Sequence, residues 1–336
     1  MTREFVPALW AGNPHVQTVC ARLLRGRAGV SFVRERISTP DRDFIDLDYP
    51  LVHSYPALDS WPLAIVLHGL EGSARSKYAI EAYRCLARRG VAAVGFNFRS
   101  CSGELNVGKR LYHSGETSDL GLVLEHLAAK FPDRALGAIG FSIGGNVLLK
   151  YLGERGASAL KRLIAVATIS VPFDLAAGAE HIEKGFSKVY RFKLIRSLKA
   201  KVRAKADHIA DLIEYSRTLR SSTFWEFDDA ATAPLHGFSG VDDYYAQSSS
   251  NCFIERIVVP TCLIQSRDDP FVPADAIPES AARDNPAIET NFLDRGGHVG
   301  FVGGPPWEPV FWAERRAAEF VSDQLCGFRC AVGSVG

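Results

Sequence analysis

Ser142 lies between two glycines in the segment Gly140-Phe141-Ser142-Ile143-Gly144, which fits the pattern G-x-S-x-G. A serine hydroxyl is a poor nucleophile until a tight turn exposes it and a base lies within hydrogen-bond reach. The short apolar run Leu136–Phe141 precedes this serine, and a helix-like run follows from Ile143. This strand–turn–helix context predicts that Ser142 is a nucleophile rather than an inert turn residue.

His298 is the predicted general base for this serine. It lies in the glycine-rich segment Asp294–Gly300, and it is the one histidine that follows the last apolar run, Thr261–Gln265. The glycines suit a loop that brings an imidazole close to the serine hydroxyl. The alternative interpretation is a surface-loop histidine without a catalytic role.

Two neighbouring aspartates compete for the role of the acid that orients the histidine. Asp268 and Asp269 follow the apolar run Thr261–Gln265, and a carboxylate just past the end of a strand is well placed to bind an imidazole. We favour Asp269, because the D-P-x-V-P pattern in the fold implied by such a serine motif usually places the acid immediately before the proline. Asp268 would then be a turn or capping residue, and Asp174 is a weaker candidate.

Backbone amides that would stabilise an oxyanion are predicted on two segments. Attack of a serine on an ester produces a tetrahedral intermediate whose negative oxygen needs preorganised N–H donors. The amide of Ile143, directly after the serine, is one predicted donor, and the amide of Leu70 in the segment His68–Ser73 is the other. His68 precedes the serine in the chain and is expected to form structural hydrogen bonds. Cys101 lacks an elbow pattern and is expected to be a loop residue.

Short apolar runs alternate with helix-like segments through most of the chain. Such runs are typical of parallel strands that helices cover on both faces, so we expect a mostly parallel α/β sheet. The segment Arg34–Tyr49, with a turn near Pro40, predicts an antiparallel edge. The apolar runs are Leu63–Leu67, Val91–Phe98, Leu136–Phe141, Leu163–Val171 and Thr261–Gln265, and the helix-like segments are Tyr78–Arg89, Ser118–Lys130, Ile143–Gly153 and Pro309–Leu325.

The alternation stops after Pro172, and strand character returns only at Ile257–Pro260. An insertion of roughly eighty residues is too long for a plain loop, so we expect a helical cap over the open ends of the strands. The predicted organisation is a first part of the core at 1–172, the cap insertion at 173–251, and a second part of the core at 252–336.

Composition and short motifs exclude several classes of function. The 336 residues carry a formal net charge of +1, so the chain as a whole has no bias toward nucleic acid. The seven cysteines are scattered, with no CxxC array, HExxH, P-loop or GxGxxG, so we expect neither a metal nor a cofactor. The first residues lack an apolar signal region, and no apolar stretch approaches about 18 residues, so we expect a cytoplasmic protein. The oligomeric state cannot be read from these patterns.

The presumed cap contains a strongly basic segment from Lys184 to Lys205. It holds nine lysines and arginines, no acidic residue, and interleaved apolar residues such as Phe186 and Phe192. One interpretation is a solvated cap helix whose apolar stripe packs on the sheet domain. The other is a basic amphipathic surface that makes peripheral contact with anionic lipid or attracts a negatively charged substrate. Aromatic residues that would line an apolar acyl site are Phe224, Trp225, Phe227, Phe238, Tyr244 and Tyr245.

Several segments together resemble the YheT-like branch of the α/β-hydrolases, over about residues 5 to 325. The resemblance implies the α/β-hydrolase fold, the triad Ser142, Asp269 and His298, and action on medium- to long-chain acyl esters. One departure is Ser100, which stands where the family usually has the first glycine of R-G-C-S-G. The matching segments are Asn13–Thr18, His68–Ser73, Asn97–Asn106, Tyr112–Gly115, Gly140–Gly144, Asp268–Phe271 and Gly296–Gly300.

These observations predict a carboxylic ester hydrolase, an esterase or lipase that works through an acyl-enzyme on a small-molecule acyl ester. An alcohol O-acyltransferase would use the same residues, with an alcohol instead of water as the acceptor. A binding protein that kept the fold without catalysis is the third possibility, and the intact triad pattern argues against it.

Overall fold

The computed structural model describes residues 4–55 and 61–333, and for 328–333 it describes the backbone only. The chain builds a central sheet of eight strands within these residues. Its sheet strands are β1 (Val30–Ser38), β2 (Phe44–Val52), β3 (Leu63–Leu67), β4 (Ala92–Phe96), β5 (Leu136–Phe141), β6 (Ala165–Ile169), β7 (Thr261–Ser266) and β8 (Ile288–Leu293), and β9 (Val302–Gly303) pairs with β10 (Val310–Phe311) outside it.

The strand order is β1-β2-β4-β3-β5-β6-β7-β8, and the pairs from β4 to β8 are parallel. β1 and β2 pair antiparallel to each other, and β2 pairs antiparallel to β4. The predicted mostly parallel sheet and its antiparallel edge are therefore confirmed. Each predicted apolar run contains or coincides with one strand of the sheet.

Helices cover both faces of the sheet, as the continuously apolar strands require. In β3, Leu63, Ile65 and Leu67 join one buried cluster, whereas Ala64 and Val66 join the other. α3 and α4 contribute to the first cluster, and α2 and α13 contribute to the second. The helices of the core are α1 (Pro14–Leu24), α2 (Lys77–Ala87), α3 (Ser118–Lys130), α4 (Ile143–Arg155), α12 (Glu279–Asp284) and α13 (Trp312–Gly333).

The chain between β6 and β7 is helical, and residues 170–260, all of which are described, contain no strand. A π-helical turn at Asp228–Thr232 connects two of the helices, and a 3₁₀ helix at Asn251–Arg256 leads back to the sheet. We call 173–251 the cap; its exact division from 1–172 and 252–336 stays a prediction, and 1–3, 56–60 and 334–336 lie outside the described residues. The cap helices are α5 (Leu175–His181), α6 (Ser187–Ala204), α7 (Ala206–Ile209), α8 (Tyr215–Arg220), α9 (Phe224–Phe227), α10 (Ala233–His236) and α11 (Val241–Ser248).

Two sequence expectations about strands were wrong. The segment 257–260 forms no ladder, and its residues Ile257 and Val259 are buried by packing instead. The strand β8 was missed because its sequence, Ile-Glu-Thr-Asn-Phe-Leu, is half-buried along its whole length and lacks the apolar run of a central strand. As a result, His298 follows β8 rather than β7 directly.

Candidate active site

The turn from β5 into α4 holds Ser142 in a strained conformation. Its φ of 53° and ψ of −121° are rare for a residue with a side chain, and they are the geometry of a nucleophile elbow. α4 starts very close to the neighbouring strand loop: a Cβ on Gly144 would lie 2.7 Å from the carbonyl oxygens of Leu67 and His68. The glycine of the motif is therefore needed for this close approach.

The structure brings the serine, the histidine and one aspartate together. His298 Nε2 lies 3.1 Å from Ser142 Oγ, and His298 Nδ1 lies 2.9 and 3.1 Å from the two carboxylate oxygens of Asp269. Asp269 is buried and also accepts hydrogen bonds from the Phe271 amide and Gln265 Nε2. These distances allow proton transfer from the serine to an imidazole whose orientation a buried carboxylate fixes.

Asp268 and Asp174 lie in other positions. Asp268 Oδ1 accepts a hydrogen bond from the Gly297 amide at 2.9 Å, so this carboxylate braces the histidine loop by its backbone. Burial raises the pKa of Asp268. Asp174 is the N-cap of α5, where its side chain accepts a hydrogen bond from the Ala177 amide at 3.0 Å. The geometry therefore favours Asp269 as the acid.

The loop after β3 leaves one amide available beside the serine. A Cβ on Gly69 would lie 3.2 Å from Ser142 Cβ, so this loop passes directly alongside Ser142. Of the four described amides from Gly69 to Gly72, those of Gly69, Glu71 and Gly72 donate to protein atoms, and that of Leu70 does not. The amide of Ile143, the first residue of α4, likewise has no acceptor among the described residues. These two N–H groups are the predicted oxyanion donors.

Glu71, the next residue of this loop, connects it to the cap. Its φ is 54°, and its carboxylate contacts Ser197 and lies 2.6 Å from Lys201 Nζ, both on α6. Tyr112 bridges the Glu71 amide and carboxylate from the core side. Lys201 is largely buried, and the contact with Glu71 helps to raise its pKa. The position of the Leu70 amide therefore depends on a cap helix.

His68 is a structural residue, as its place before the serine predicted. It is fully buried, Nδ1 donates to the Gly69 carbonyl at 2.7 Å, and Nε2 accepts from the Phe98 amide at 3.2 Å. Burial lowers the pKa of His68 to about 4, so the imidazole is neutral and both nitrogens are occupied. It fixes the start of the loop that carries Leu70.

The N-terminal helix α1 holds the histidine loop, a role that the sequence did not reveal. Thr18 Oγ accepts a hydrogen bond from the His298 amide at 2.9 Å, and a Cβ on Gly297 would lie 2.4 Å from the Pro14 carbonyl oxygen. Gln17 binds both backbone groups of Val302. In the sequence, the segment Asn13–Thr18 carries only a family resemblance, because a contact across 280 positions leaves no local pattern.

Ser100, the departure from the family pattern, keeps the conformation of the glycine it replaces. Its φ is 60°, in the left-handed region that favours glycine. Asn106 compensates, because its side chain accepts from the Ser100 amide while its own amide donates to Ser100 Oγ at 3.1 Å. These two contacts hold Ser100 in the left-handed conformation.

A stack of aromatic rings leads from the histidine to the cap. Phe271 lies 4.1 Å from the His298 ring, and Tyr190 of α6 lies 5.0 Å from Phe271, both nearly parallel (centroid distances). Ser187 Oγ, at the start of α6, donates to the Pro270 carbonyl at 2.7 Å. One wall of the site is thus built by the cap.

A cavity between cap and core reaches this region at Leu70. Its volume, measured over the positions that the centre of a water molecule can occupy, is about 60 Å³. On the same measure, one water molecule needs roughly 10–15 Å³. Of the predicted acyl-site aromatics, Phe224, Phe227 and Tyr244 line it, whereas Trp225 is largely exposed and Phe238 and Tyr245 pack inside the cap. Ser142 and His298 are not among the residues that line this space.

Three possible metal ligands meet at the end of this cavity, although no metal spacing was visible in the sequence. Ligand atoms of His113, Glu116 and His236 lie within 4.8 Å of one another. Arg110 pairs with Glu116, and His113 Nδ1 accepts the Gly115 amide, which leaves the proton on Nε2, 3.5 Å from Glu116. These contacts make Glu116 and His113 part of an ion-pair network, whereas His236 Nε2 is buried without a hydrogen-bond partner among the described residues.

The comparisons with known proteins place the chain. Residues 62–305 match the family model described as alpha/beta hydrolase fold. The chain belongs to this family. It is 36% identical to "Putative esterase YheT" of Escherichia coli, over 97% of this chain and 95% of that protein, which confirms the YheT-like resemblance. The mouse protein "Phospholipase ABHD3" is 29% identical, over 96% and 79% of the two chains.

A third relative and a solved structure extend the comparison. "Medium-chain fatty acid ethyl ester synthase/esterase 2" of Saccharomyces cerevisiae is 30% identical, over 77% of this chain and 61% of that protein. The structure of the Pyrococcus furiosus esterase Pf2001 covers 97% of this chain and 98% of its own, with a TM-score of 0.58 and 19% identity, which supports the fold. None of the helices in the described residues combines the length and apolar character that a membrane crossing requires.

Proposed function

We propose that the protein is a serine-dependent carboxylic ester hydrolase that works through an acyl-enzyme. The observation that carries the proposal is the continuous hydrogen-bonded path from Asp269 through His298 to Ser142, with steps of 2.9 and 3.1 Å. The names of the Escherichia coli, mouse and yeast relatives describe esterases and a phospholipase, which supports ester hydrolysis.

The proposed mechanism follows from the geometry. His298 Nε2 accepts the proton as Ser142 Oγ attacks the ester carbonyl, and Asp269 stabilises the resulting imidazolium. The Leu70 amide, in the loop after β3, and the Ile143 amide, at the start of α4, donate to the oxyanion. His298 returns the proton to the leaving alcohol, and a water molecule activated by the same imidazole releases the acid. No metal ion or cofactor takes part in these steps.

The test is hydrolysis of p-nitrophenyl esters of increasing chain length by the purified protein and its Ser142→Ala variant. We expect the variant to lose at least about 10³-fold in kcat/KM, because triad residues act as a unit. Ser158→Ala, a change at an exposed serine after α4 that does not line the cavity, is the control and should retain activity. Undiminished hydrolysis by Ser142→Ala would refute the proposal.

The chain-length series tests the substrate class. We propose medium- to long-chain acyl esters as substrates, since the cavity lining is mainly apolar. The cavity can hold such chains only if cap helices move apart, because its observed volume is small. We expect KM to fall as the acyl chain lengthens, and the soluble short-chain esters to remain substrates. Activity confined to acetate esters would overturn this assignment.

Acyl transfer to an alcohol is the second candidate, favoured by the name of the yeast relative, an ethyl ester synthase and esterase. An alcohol that replaces water in the second step would give an ester instead of an acid. The ratio of ethyl ester to free acid in water–ethanol mixtures measures this partition. A ratio no higher than the ethanol-to-water ratio indicates a hydrolase.

A further inference from the structure

Large apolar side chains on the outer face of α6 and its N-terminal approach are exposed to solvent. Phe186, Val189 and Phe192 are 53%, 55% and 64% exposed. The inner face of the same helix already has its own apolar residues, because Ile195 and Val202 are buried against other cap helices. Core packing therefore does not account for the outer apolar residues, and a contiguous exposed patch of this kind marks an interaction surface.

Cations surround these apolar side chains. α6 carries seven lysines and arginines and no acidic residue. Three of them have partners: Arg191 pairs with Glu183, Lys201 pairs with Glu71, and Lys199 contacts a backbone carbonyl. A fourth, Arg203, lies in the last turn of the helix. Lys188, Lys193 and Arg196 are exposed, and within the described residues no carboxylate lies within 4 Å of them.

This surface lies beside the catalytic residues. Tyr190 of α6 stacks on Phe271, which stacks on His298, and Phe186 packs edge-on against Tyr190 at 5.7 Å. Anything that rests on the outer face of α6 is therefore one row of aromatic rings away from the imidazole. We define the docking surface as Phe186, Lys188, Val189, Phe192, Lys193 and Arg196.

We propose that the docking surface binds the surface of an anionic lipid bilayer, from which a lipid-borne acyl ester reaches Ser142. Interleaved apolar and cationic side chains on one helix face are the composition of an interfacial helix, since the apolar groups enter the boundary of the acyl chains while the cations contact anionic headgroups. The route to the serine rests on the proposed function, whereas the binding itself does not.

The charge pattern favours a lipid over a second copy of the chain. A symmetric dimer through this face would place the cations of one α6 against those of the other, with no acidic residue on either helix to compensate. An anionic bilayer supplies the complementary charge. The attraction is electrostatic at the surface, so it should weaken steeply as salt is added.

The experiment is co-sedimentation of the full chain with vesicles of phosphatidylcholine alone or of equal parts phosphatidylcholine and phosphatidylglycerol. We expect binding to the mixed vesicles, and little to the neutral ones. Lys193→Gln combined with Arg196→Gln should weaken binding about 20- to 30-fold, because each cation near an anionic surface contributes about fivefold. Lys161→Gln combined with Arg256→Gln, two exposed cations outside the cap, is the matched control and should bind as the wild type does.

A second pair of variants isolates the apolar contribution. Val189→Ser should weaken binding about fivefold, because Val189 is 55% exposed and only about half of the area of its two methyl groups leaves water on binding. Val33→Ser is the matched control, because Val33 on β1 is 56% exposed and Val189 is 55% exposed. Equal binding of Val189→Ser and Val33→Ser, or equal binding of the two charge variants, would overturn the proposal.

The docking surface and the proposed hydrolase fail in distinguishable ways. Ser142→Ala should bind vesicles like the wild type, and the Lys193/Arg196 variant should hydrolyse soluble p-nitrophenyl butyrate like the wild type while losing activity on vesicle-borne esters. Binding without hydrolysis would refute only the hydrolase. Absence of binding to both vesicle types, or self-association that Val189→Ser abolishes, would refute the lipid surface, the latter in favour of a second copy.

Discussion

The carboxyl ends of the sheet strands and the cap differ in how they hold their polar groups. At the carboxyl ends of the strands, Ser142, Asp269 and His298 follow β5, β7 and β8. Their side chains are joined by hydrogen bonds of 2.9 to 3.1 Å. In the cap, cations on α6 face solvent, whereas the Asp228 carboxylate accepts hydrogen bonds from Thr232 and Tyr245 and has no cation within 4 Å among the described residues. The polar groups that follow the strands are held in one geometry, which is the arrangement that electrostatic catalysis would require.

Few side chains of the cap contact the loops that carry the candidate catalytic residues. Lys201 of the cap holds Glu71 beside the oxyanion amide, and Ser187 holds Pro270 beside the acid. Changes elsewhere in the cap should therefore alter substrate preference and leave the chemical step intact. Changes at Ser142, Asp269 or His298 should strongly lower turnover with every substrate.

The largest loss of kcat is expected from replacing one of the two neighbouring aspartates, Asp269, and not the other, Asp268. Asp269→Asn should lower kcat by about 10³- to 10⁴-fold, because the imidazolium loses its counter-charge and the neutral ring its orientation. Asp268→Asn keeps an acceptor for the Gly297 amide and should change kcat less than about threefold. Steady-state kinetics with p-nitrophenyl butyrate measures both, and a larger loss in Asp268→Asn would reverse the assignment.

The next effect concerns the helix that holds the histidine loop. Thr18→Val removes the acceptor of the His298 amide, and a misplacement of about 1 Å at the imidazole costs on the order of 10²-fold in rate. The loss should fall on kcat rather than KM, and Thr18→Ser should restore it. Thr117→Val, which breaks only a surface contact with Glu154, is the control. Wild-type kcat in Thr18→Val would show that the loop holds its own shape.

A smaller loss of kcat is expected when the ion pair between Lys201 of the cap and Glu71 of the loop after β3 is removed. Lys201→Met leaves the Glu71 carboxylate without its ion pair, and the freed loop should misplace the Leu70 amide, with a loss of about tenfold in kcat. Lys199→Met on the same helix, whose amine contacts the Ser221 carbonyl instead, should lose much less. Equal losses in the two variants would mean that α6 matters only for stability.

The smallest effect concerns the stability of the cap alone. Burial raises the pKa of Asp228 from 3.8 to about 6, so between these values the native protein holds a proton that the unfolded chain has released. Its contribution to stability therefore falls as pH rises from 4 to 6, by up to about 3 kcal/mol. Asp228→Asn should flatten the dependence of Tm on pH across this range. An unchanged pH profile in the variant would show that Asp228 titrates normally.

Local sequence predicted the parts of the fold that have strong local signals. Leu63–Leu67, Ser118–Lys130 and Leu136–Phe141 were predicted with the bounds that the structure shows, because continuous apolar runs and helix periods report burial directly. β8 was missed because its three consecutive polar residues, between Ile288 and Phe292, leave neither an apolar run nor a regular alternation.

The candidate site was predicted where the chemistry is carried by distinctive residues. The serine motif, the Asp-Pro pair and the late histidine pointed to three residues that the fold brings together. The supporting contacts of Thr18, Lys201 and Ser187 were not predictable, since each joins segments more than eighty positions apart by ordinary polar residues. Such contacts become visible only when the fold is known.

The most direct test of the central claim is covalent trapping of the nucleophile. The wild-type chain is treated with a fluorophosphonate probe, digested and mapped by mass spectrometry, beside Ser142→Ala and His298→Ala. We expect a single adduct on Ser142, none in Ser142→Ala, and labelling at least about 10²-fold slower in His298→Ala, since the imidazole removes the serine proton. An adduct on another residue, or labelling of His298→Ala at the wild-type rate, would contradict the account.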